Sequence, residues 1–316
     1  MTPTDLNVEQ FMPQKPATLG DLVGVAFRIF RSNWRHYVGK LFWPSLFASI
    51  SITGMEWTWL FFIKGGGNMQ GFALHLSILF GFAILFILSQ WELALRCVAL
   101  LRDTFLVDSK FEIAYKFARK HQWRIMVVYT VGFVLPTIIF MATTVGAVLL
   151  LAFGKNILRI IAVTGFFSII IAGTVIGAMS LVLTAVWFVL VSLEDTGIVK
   201  ILKRGYELVS PYWWRSGSFI CLLCISAFAV CLSFYLPLIG MEMFESFSHG
   251  GQTRGEMPLH LAAIETAVGT ILSILSTGII LVGSALYYRD LQFRREGQDI
   301  SKHCSDLFVA TQVPEV

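Results

Sequence analysis

Six apolar stretches, at 41–63, 72–101, 125–153, 160–193, 217–240 and 261–288, set the rhythm of the chain. Each is long enough to cross a hydrocarbon layer of about 30 Å. A chain in lipid must satisfy its own backbone groups, and none of the six alternates apolar with polar like a barrel strand, so each predicts a helix. The fourth is overlong. Its 34 residues would reach about 51 Å, so it must tilt, bend at Gly165, Gly173 or Gly177, or run past the membrane surface. Its Gly173-x-x-x-Gly177 spacing would let a neighbouring helix approach closely.

Three shorter segments carry a different pattern. In the first, Leu19, Leu22, Val23, Ala26, Phe27 and Phe30 recur at helical spacing while Asp21, Arg28, Arg31 and Arg35 fill the other side. Thr18-x-x-Asp21 has the form of a capping box that satisfies free N–H groups at the helix start. The second opens with Ser109-x-x-Glu112, the same device, and would bury Phe111, Ala114, Tyr115 and Ala118. The third starts near Asp195 or Thr196, would bury Ile198, Leu202, Gly205 and Val209, and is ended by Pro211. A Trp-Arg pair follows each segment: Trp34-Arg35, Trp123-Arg124 and Trp214-Arg215, separated by 89 and 91 residues. A fixed period of this kind predicts three units, at about 18–104, 105–194 and 195–300, each one surface helix plus one membrane hairpin.

Composition agrees with the pattern. Hydrophobic residues make up 56% and charged residues 14%, too little charge to cover a water-exposed surface, and mean hydropathy is +0.73. A disordered chain is excluded, and a formal charge of +4 excludes the usual strongly basic nucleic-acid binder. The expected fold is therefore all-α: an integral membrane bundle of six transmembrane helices in residues 18–302, with three interfacial amphipathic helices and short tails at 1–17 and 303–316. The N-terminal residues lack the basic-then-apolar order of a signal peptide and read as a cytoplasmic tail.

If the chain ends and the segments after spans two and four share one side, that side holds twenty of the 24 Lys and Arg. Only Lys64, Lys155, Arg159 and Arg254 fall opposite. Such a bias places both termini on the cytoplasmic side of the membrane. The surface helices would then lie among headgroups, apolar face down. Their headgroup contacts would be Arg28, Arg31, Trp34 and Arg35 in the first unit, Arg119, Lys120, Trp123 and Arg124 in the second, and Lys203, Arg204, Trp214 and Arg215 in the third.

Glu56, His75, Arg159 and Glu265 fall at a similar depth near the opposite ends of the spans and could converge on a polar pocket. Glu92 and Arg96, i and i+4 with the acid first, read as a self-neutralised pair. Cys221-x-x-Cys224 lies inside an apolar helix without a second pair and reads as packing, not metal binding. The acidic and His residues of 241–260 match no ligand spacing and read as a solvated loop. No Walker loop, GxSxG or HExxH occurs, and no region outside the spans is long enough for a catalytic domain. The expectation is a protein with no enzymatic activity, cofactor or metal.

Two segments carry a family resemblance. Glu194-Asp195-Thr196-Gly197, Leu202-Lys203-Arg204-Gly205-Tyr206-Glu207-Leu208-Val209 and Tyr212-Trp213-Trp214-Arg215 form one. Leu286-Tyr287-Tyr288-Arg289-Asp290-Leu291-Gln292-Phe293-Arg294-Arg295-Glu296-Gly297-Gln298-Asp299 forms the other. With Leu19-Gly20-Asp21 and Phe30-Arg31 they make the chain resemble, over nearly its whole length, the bacterial multi-span family labelled the glycerophosphoryl diester phosphodiesterase membrane domain. Gln292 and Gln298 depart from its pattern. The label comes from relatives fused to a phosphodiesterase domain that this sequence lacks, so the resemblance implies the membrane fold and not the activity. The expected role is a scaffold or assembly factor that engages anionic lipid and holds a protein partner or a second copy. The alternative is a transporter or channel subunit.

Overall fold

The computed structural model describes residues 17–64, 69–105, 110–134, 179–248 and 259–311. All its regular structure is helical, with no strand among the described residues. The third apolar stretch beyond residue 134, most of the fourth with its Gly173–Gly177 motif, Ser109, Arg159 and the N-terminal tail lie outside them.

Helix α1 (Leu19–Ser32) starts as the capping box predicts: the Thr18 hydroxyl accepts the Asp21 N–H at 3.2 Å and donates to the Asp21 carboxylate at 2.6 Å. Asn33 breaks the helix, its N–H returning to the carbonyls of Ile29 and Phe30. Then α2 (Trp34–Lys64) and α3 (Met69–Phe105) form a long hairpin. Helix α4 (Phe111–Lys120) opens at Lys110 without a side-chain cap. Helix α5 (Gln122–Tyr129) runs into a widened turn at Thr130–Val134. Helix α6 (Met179–Leu193) is short and apolar. Helix α7 (Ile198–Val209) begins after Gly197, two or three residues later than expected, and ends in a tight turn, Ser210–Tyr212, around Pro211. Helices α8 (Trp213–Ser248) and α9 (Leu259–Thr311) complete the chain. The 53 residues of α9 span about 80 Å, so this helix continues well past the predicted end of the sixth span and through most of the expected tail.

Among the described residues, three stretches are long and apolar enough to cross a membrane: Ala73–Phe105 in α3, Ile198–Pro237 from α7 into α8, and Ala262–Arg295 in α9. Their outer faces are apolar, with Leu74, Phe80, Ile87 and Leu88 on α3 and Ile225, Phe228 and Leu236 on α8 all exposed. Helix α9 is the axis, packing against α1, α2, α3 and α8. Where α2 meets α9 the contact is made by small hydroxyl residues: Thr266 donates to Thr53 at 3.2 Å, and Ser273 lies 3.5 Å from Ser45.

The short amphipathic helices do not lie loose on a surface. Leu22, Val23, Ala26, Ile29 and Phe30 of α1 are buried in the same apolar core as Leu286, Tyr287 and Tyr288 of α9. Helix α4 packs on α3. Helix α7 rests on α6, with the Trp187 indole N–H donating to the Leu202 carbonyl at 3.1 Å beneath Gly205. With this contact α7 buries Gly205 and Val209 as expected, but Ile201 and Leu208 in place of Ile198 and Leu202, which are half-buried. The apolar faces expected to meet lipid are thus spent largely on neighbouring helices.

Candidate functional site

The three short helices meet at one end of the bundle and form a polar collar there. Each Trp-Arg segment carries a base tied to an acid on, or just after, a later helix. His36 Nε2 lies 2.7 Å from Asp103, just before the end of α3. Arg124 donates to Asp195, after α6, at 2.7 Å, with His121 at 3.4 Å from the same carboxylate. Arg215 donates to Asp290 of α9 at 3.1 Å. The Arg124 hydrogen bond, with charge from His121, Arg124 and Lys120, holds the Asp195 carboxyl below the usual carboxylate range.

Asp290 is fully buried and is the hub of this collar. It accepts from the Ala17 N–H at 3.0 Å, from Arg215, and from Arg294 Nε at 2.9 Å. Both arginines also donate to the Ala17 carbonyl, at 2.7 and 3.2 Å. One acidic side chain therefore fixes the start of α1 and the start of α8 to α9. A second hub is Glu194, which accepts from Arg204 and from the Tyr288 hydroxyl at 3.0 Å, while Gln292 donates to Tyr288 at 2.7 Å. A third is Glu92, which accepts from Arg96 at 2.7 Å and from the Tyr115 hydroxyl at 3.0 Å. Arg96 also reaches the Lys40 carbonyl at 2.7 Å, so the expected pair does more than neutralise itself: it joins α2, α3 and α4. Burial, followed by the neighbouring Glu92, pushes the Tyr115 hydroxyl pKa up.

The outer surface of the collar carries the other predicted residues. Trp34, Trp123 and Trp214 are exposed by 48%, 73% and 91%, values high enough to leave each ring available to a lipid interface. Arg35 lies over the Trp34 ring. Arg28, Arg31, Arg119, Lys120 and Lys203 are exposed. Arg204 is also exposed and Arg124 half-buried, but both are already paired, with Glu194 and Asp195. Arg215 departs furthest from its expected headgroup role. It is turned inward onto Asp290 and Ala17, because α9 carries Asp290 beneath the start of α8.

Of Glu56, His75, Arg159 and Glu265, expected to converge, His75 helps line a groove of about 470 Å³ between α2, α3 and α9, walled by Ile50, Ile78, Phe82 and Ala262 with Thr53, Thr58 and Thr266. Glu56 is exposed and Glu265 half-buried, neither lining the groove; Arg159 is outside the described residues. The side chains of 241–260 also lie outside them. Cys221 and Cys224 are free thiols on α8.

The hubs Asp290, Arg294, Glu194 and Asp195 escape a reading that counts cations. All four fall in the two segments that carry the family resemblance. No protein-family model, curated protein or solved structure matches this chain.

Proposed function

We propose that this chain is a non-enzymatic, six-span protein of a bacterial cytoplasmic membrane that engages anionic lipid through the collar and serves as a scaffold or assembly factor. The observation that carries this reading is the pairing, at one end of an apolar bundle, of three exposed indoles with five outward cations, Arg28, Arg31, Arg119, Lys120 and Lys203. Indoles favour the interface, and each cation held near an anionic leaflet contributes about 1 kcal/mol. The charge bias along the chain supports a cytoplasmic collar and cytoplasmic termini. A three-unit plan is supported by the repeated base-to-acid ties His36–Asp103, Arg124–Asp195 and Arg215–Asp290, and by the seating of α4, α7 and α1 on α3, α6 and α9. A protein partner or second copy would meet the same rigid platform.

Reversing Arg28, Arg31, Arg119, Lys120 and Lys203 to Glu is expected to strip co-purified phosphatidylglycerol from the protein in native mass spectrometry. Undiminished retention overturns the lipid reading. The apolar groove at His75 gives the transporter alternative a place to be tested. Its lining suits an acyl chain better than an ion, and an ion flux in proteoliposomes sensitive to His75→Ala would favour the alternative.

A further inference from the structure

Between α7 and the end of α9's apolar stretch lies an open cleft of about 450 Å³, lined by Lys200, Lys203, Arg204, Glu207, Gln292 and Arg295 with Leu208 at its base. The size is that of a ligand site. Lys200, Lys203, Arg204 and Glu207 form one strip of α7, at i, i+3, i+4 and i+7. Gln292 and Arg295 form the facing strip of α9. Four cations thus face one carboxylate. Glu207 lies 3.9 Å from Lys203, the outer limit of an ion pair. Among the described residues neither Lys200 nor Arg295 has an acidic partner.

The cleft is framed and not merely charged. Arg204 is held from behind by Glu194, and Gln292 by Tyr288, which donates to the same Glu194. Both walls are therefore fixed to one carboxylate, and the ordering cost of holding these two donors is met before anything binds. The cations and the Gln292 amide group all offer N–H donors, which suits phosphoryl oxygens. The level is that of a headgroup: apolar stretches begin at Ile198 and end at Arg295, the two edges of the cleft.

We propose that this cleft is a one-to-one site for a phosphate group of at least two negative charges, a phosphomonoester or diphosphate, carried by a lipid headgroup or by a soluble molecule. Glu207 and Glu194 offset two of the four cations, Lys203 and Arg204, and leave two in excess. A phosphodiester with a single charge answers only one of these, so the site discriminates by charge where the rest of the collar does not. The inference rests on the lipid-collar reading and names the ligand class at one place in it.

The full chain in phosphatidylcholine nanodiscs, doped with phosphatidic acid or with phosphatidylglycerol, tests it by native mass spectrometry, and inorganic pyrophosphate added to undoped discs is followed by calorimetry. One phosphatidic acid per chain should survive collisional activation that strips the more loosely retained phosphatidylglycerol. Lys200→Gln with Arg295→Gln should weaken it by about tenfold or more; Lys200→Arg with Arg295→Lys should keep it. Removing two collar charges elsewhere, Arg28→Gln with Arg119→Gln, should lower phosphatidylglycerol retention and spare the single phosphatidic acid. One equivalent of pyrophosphate bound by the wild type and lost in the Gln variant assigns the site to a soluble phosphate; phosphatidic acid without pyrophosphate assigns it to a lipid. Equal retention of the two lipids, or equal loss in both Gln pairs, overturns the cleft and leaves the collar standing. No preference for either anionic lipid over phosphatidylcholine, in the wild type, overturns the collar reading as well.

Discussion

At the scale of single residues, Asp290 has the largest expected effect. It is the one acid shared by Arg215 and Arg294, and its side chain is wholly removed from solvent while each arginine is 25% exposed. Asp290→Asn keeps the shape but leaves two guanidinium groups without their counter-charge, a loss of about 3–5 kcal/mol. Thermal unfolding in detergent should show it, and a cysteine placed at Ala17 should become reactive as the start of α1 comes away. Glu92→Gln is the comparison, since Glu92 is a third exposed and its pair with Arg96 should matter by no more than about 1 kcal/mol. Equal melting temperatures for the two variants would remove Asp290 from its place as hub. Asp195 gives a pH test. Its carboxyl is held low by Arg124, so the tie is complete above the ordinary aspartate value of about 4 and is lost as pH falls through the lowered one. Arg124→Gln should move the carboxyl resonance titration of Asp195 upward; an unmoved midpoint would mean that the hydrogen bond has no weight in solution.

At the scale of elements, close approach decides how the short helices seat. Phe30 of α1 lies directly over Gly278 of α9, where a Cβ would collide with the ring, and Phe30 is almost fully buried. Gly278→Val should therefore push α1 outward and destabilise the fold by about 1–3 kcal/mol. Phe30→Ala added to it should recover part of that loss, although Phe30→Ala alone is destabilising. Additive losses would mean that the two positions do not meet. Local chemistry made much of this level legible in advance. The cap at Thr18, the stop at Pro211 and the apolar face of α1 each depend on neighbours within a turn or two, and each is found. What local pattern missed depends on partners elsewhere: the rotation of α7 is set by the Trp187 indole, and the seating of α9 by ties from Asp290 to Arg215 and from Tyr288 to Glu194.

At the scale of the whole molecule, an apolar exterior around a helical bundle was already implied by the shortage of charge, and the collar by three Trp-Arg pairs. The identity of the free cations was not. Charge pattern counts Arg124, Arg204 and Arg215 alike with Arg28, because the acids that bind them are brought together only by the fold. The cleft was hidden for the same reason, since Lys200 and Arg295 come from different helices. The collar also fixes a topology. Arg124 and Arg204 reach the adjacent residues Asp195 and Glu194, and Phe111 of α4 packs edge-on against His36 of α2 at 6.1 Å, so the short helices are tied together at one end of the bundle. Glu56 stands 22 residues along α2 from Trp34, about 33 Å away, which is the thickness of the hydrocarbon layer. In a background without native cysteines, Arg119→Cys and Lys203→Cys should react with an impermeant maleimide only from the cytoplasmic face, and Glu56→Cys only from the outside. Labelling of positions 119 and 203 from opposite faces would break the ties through Asp195 and Glu194, and with them both the collar and any ligand it holds.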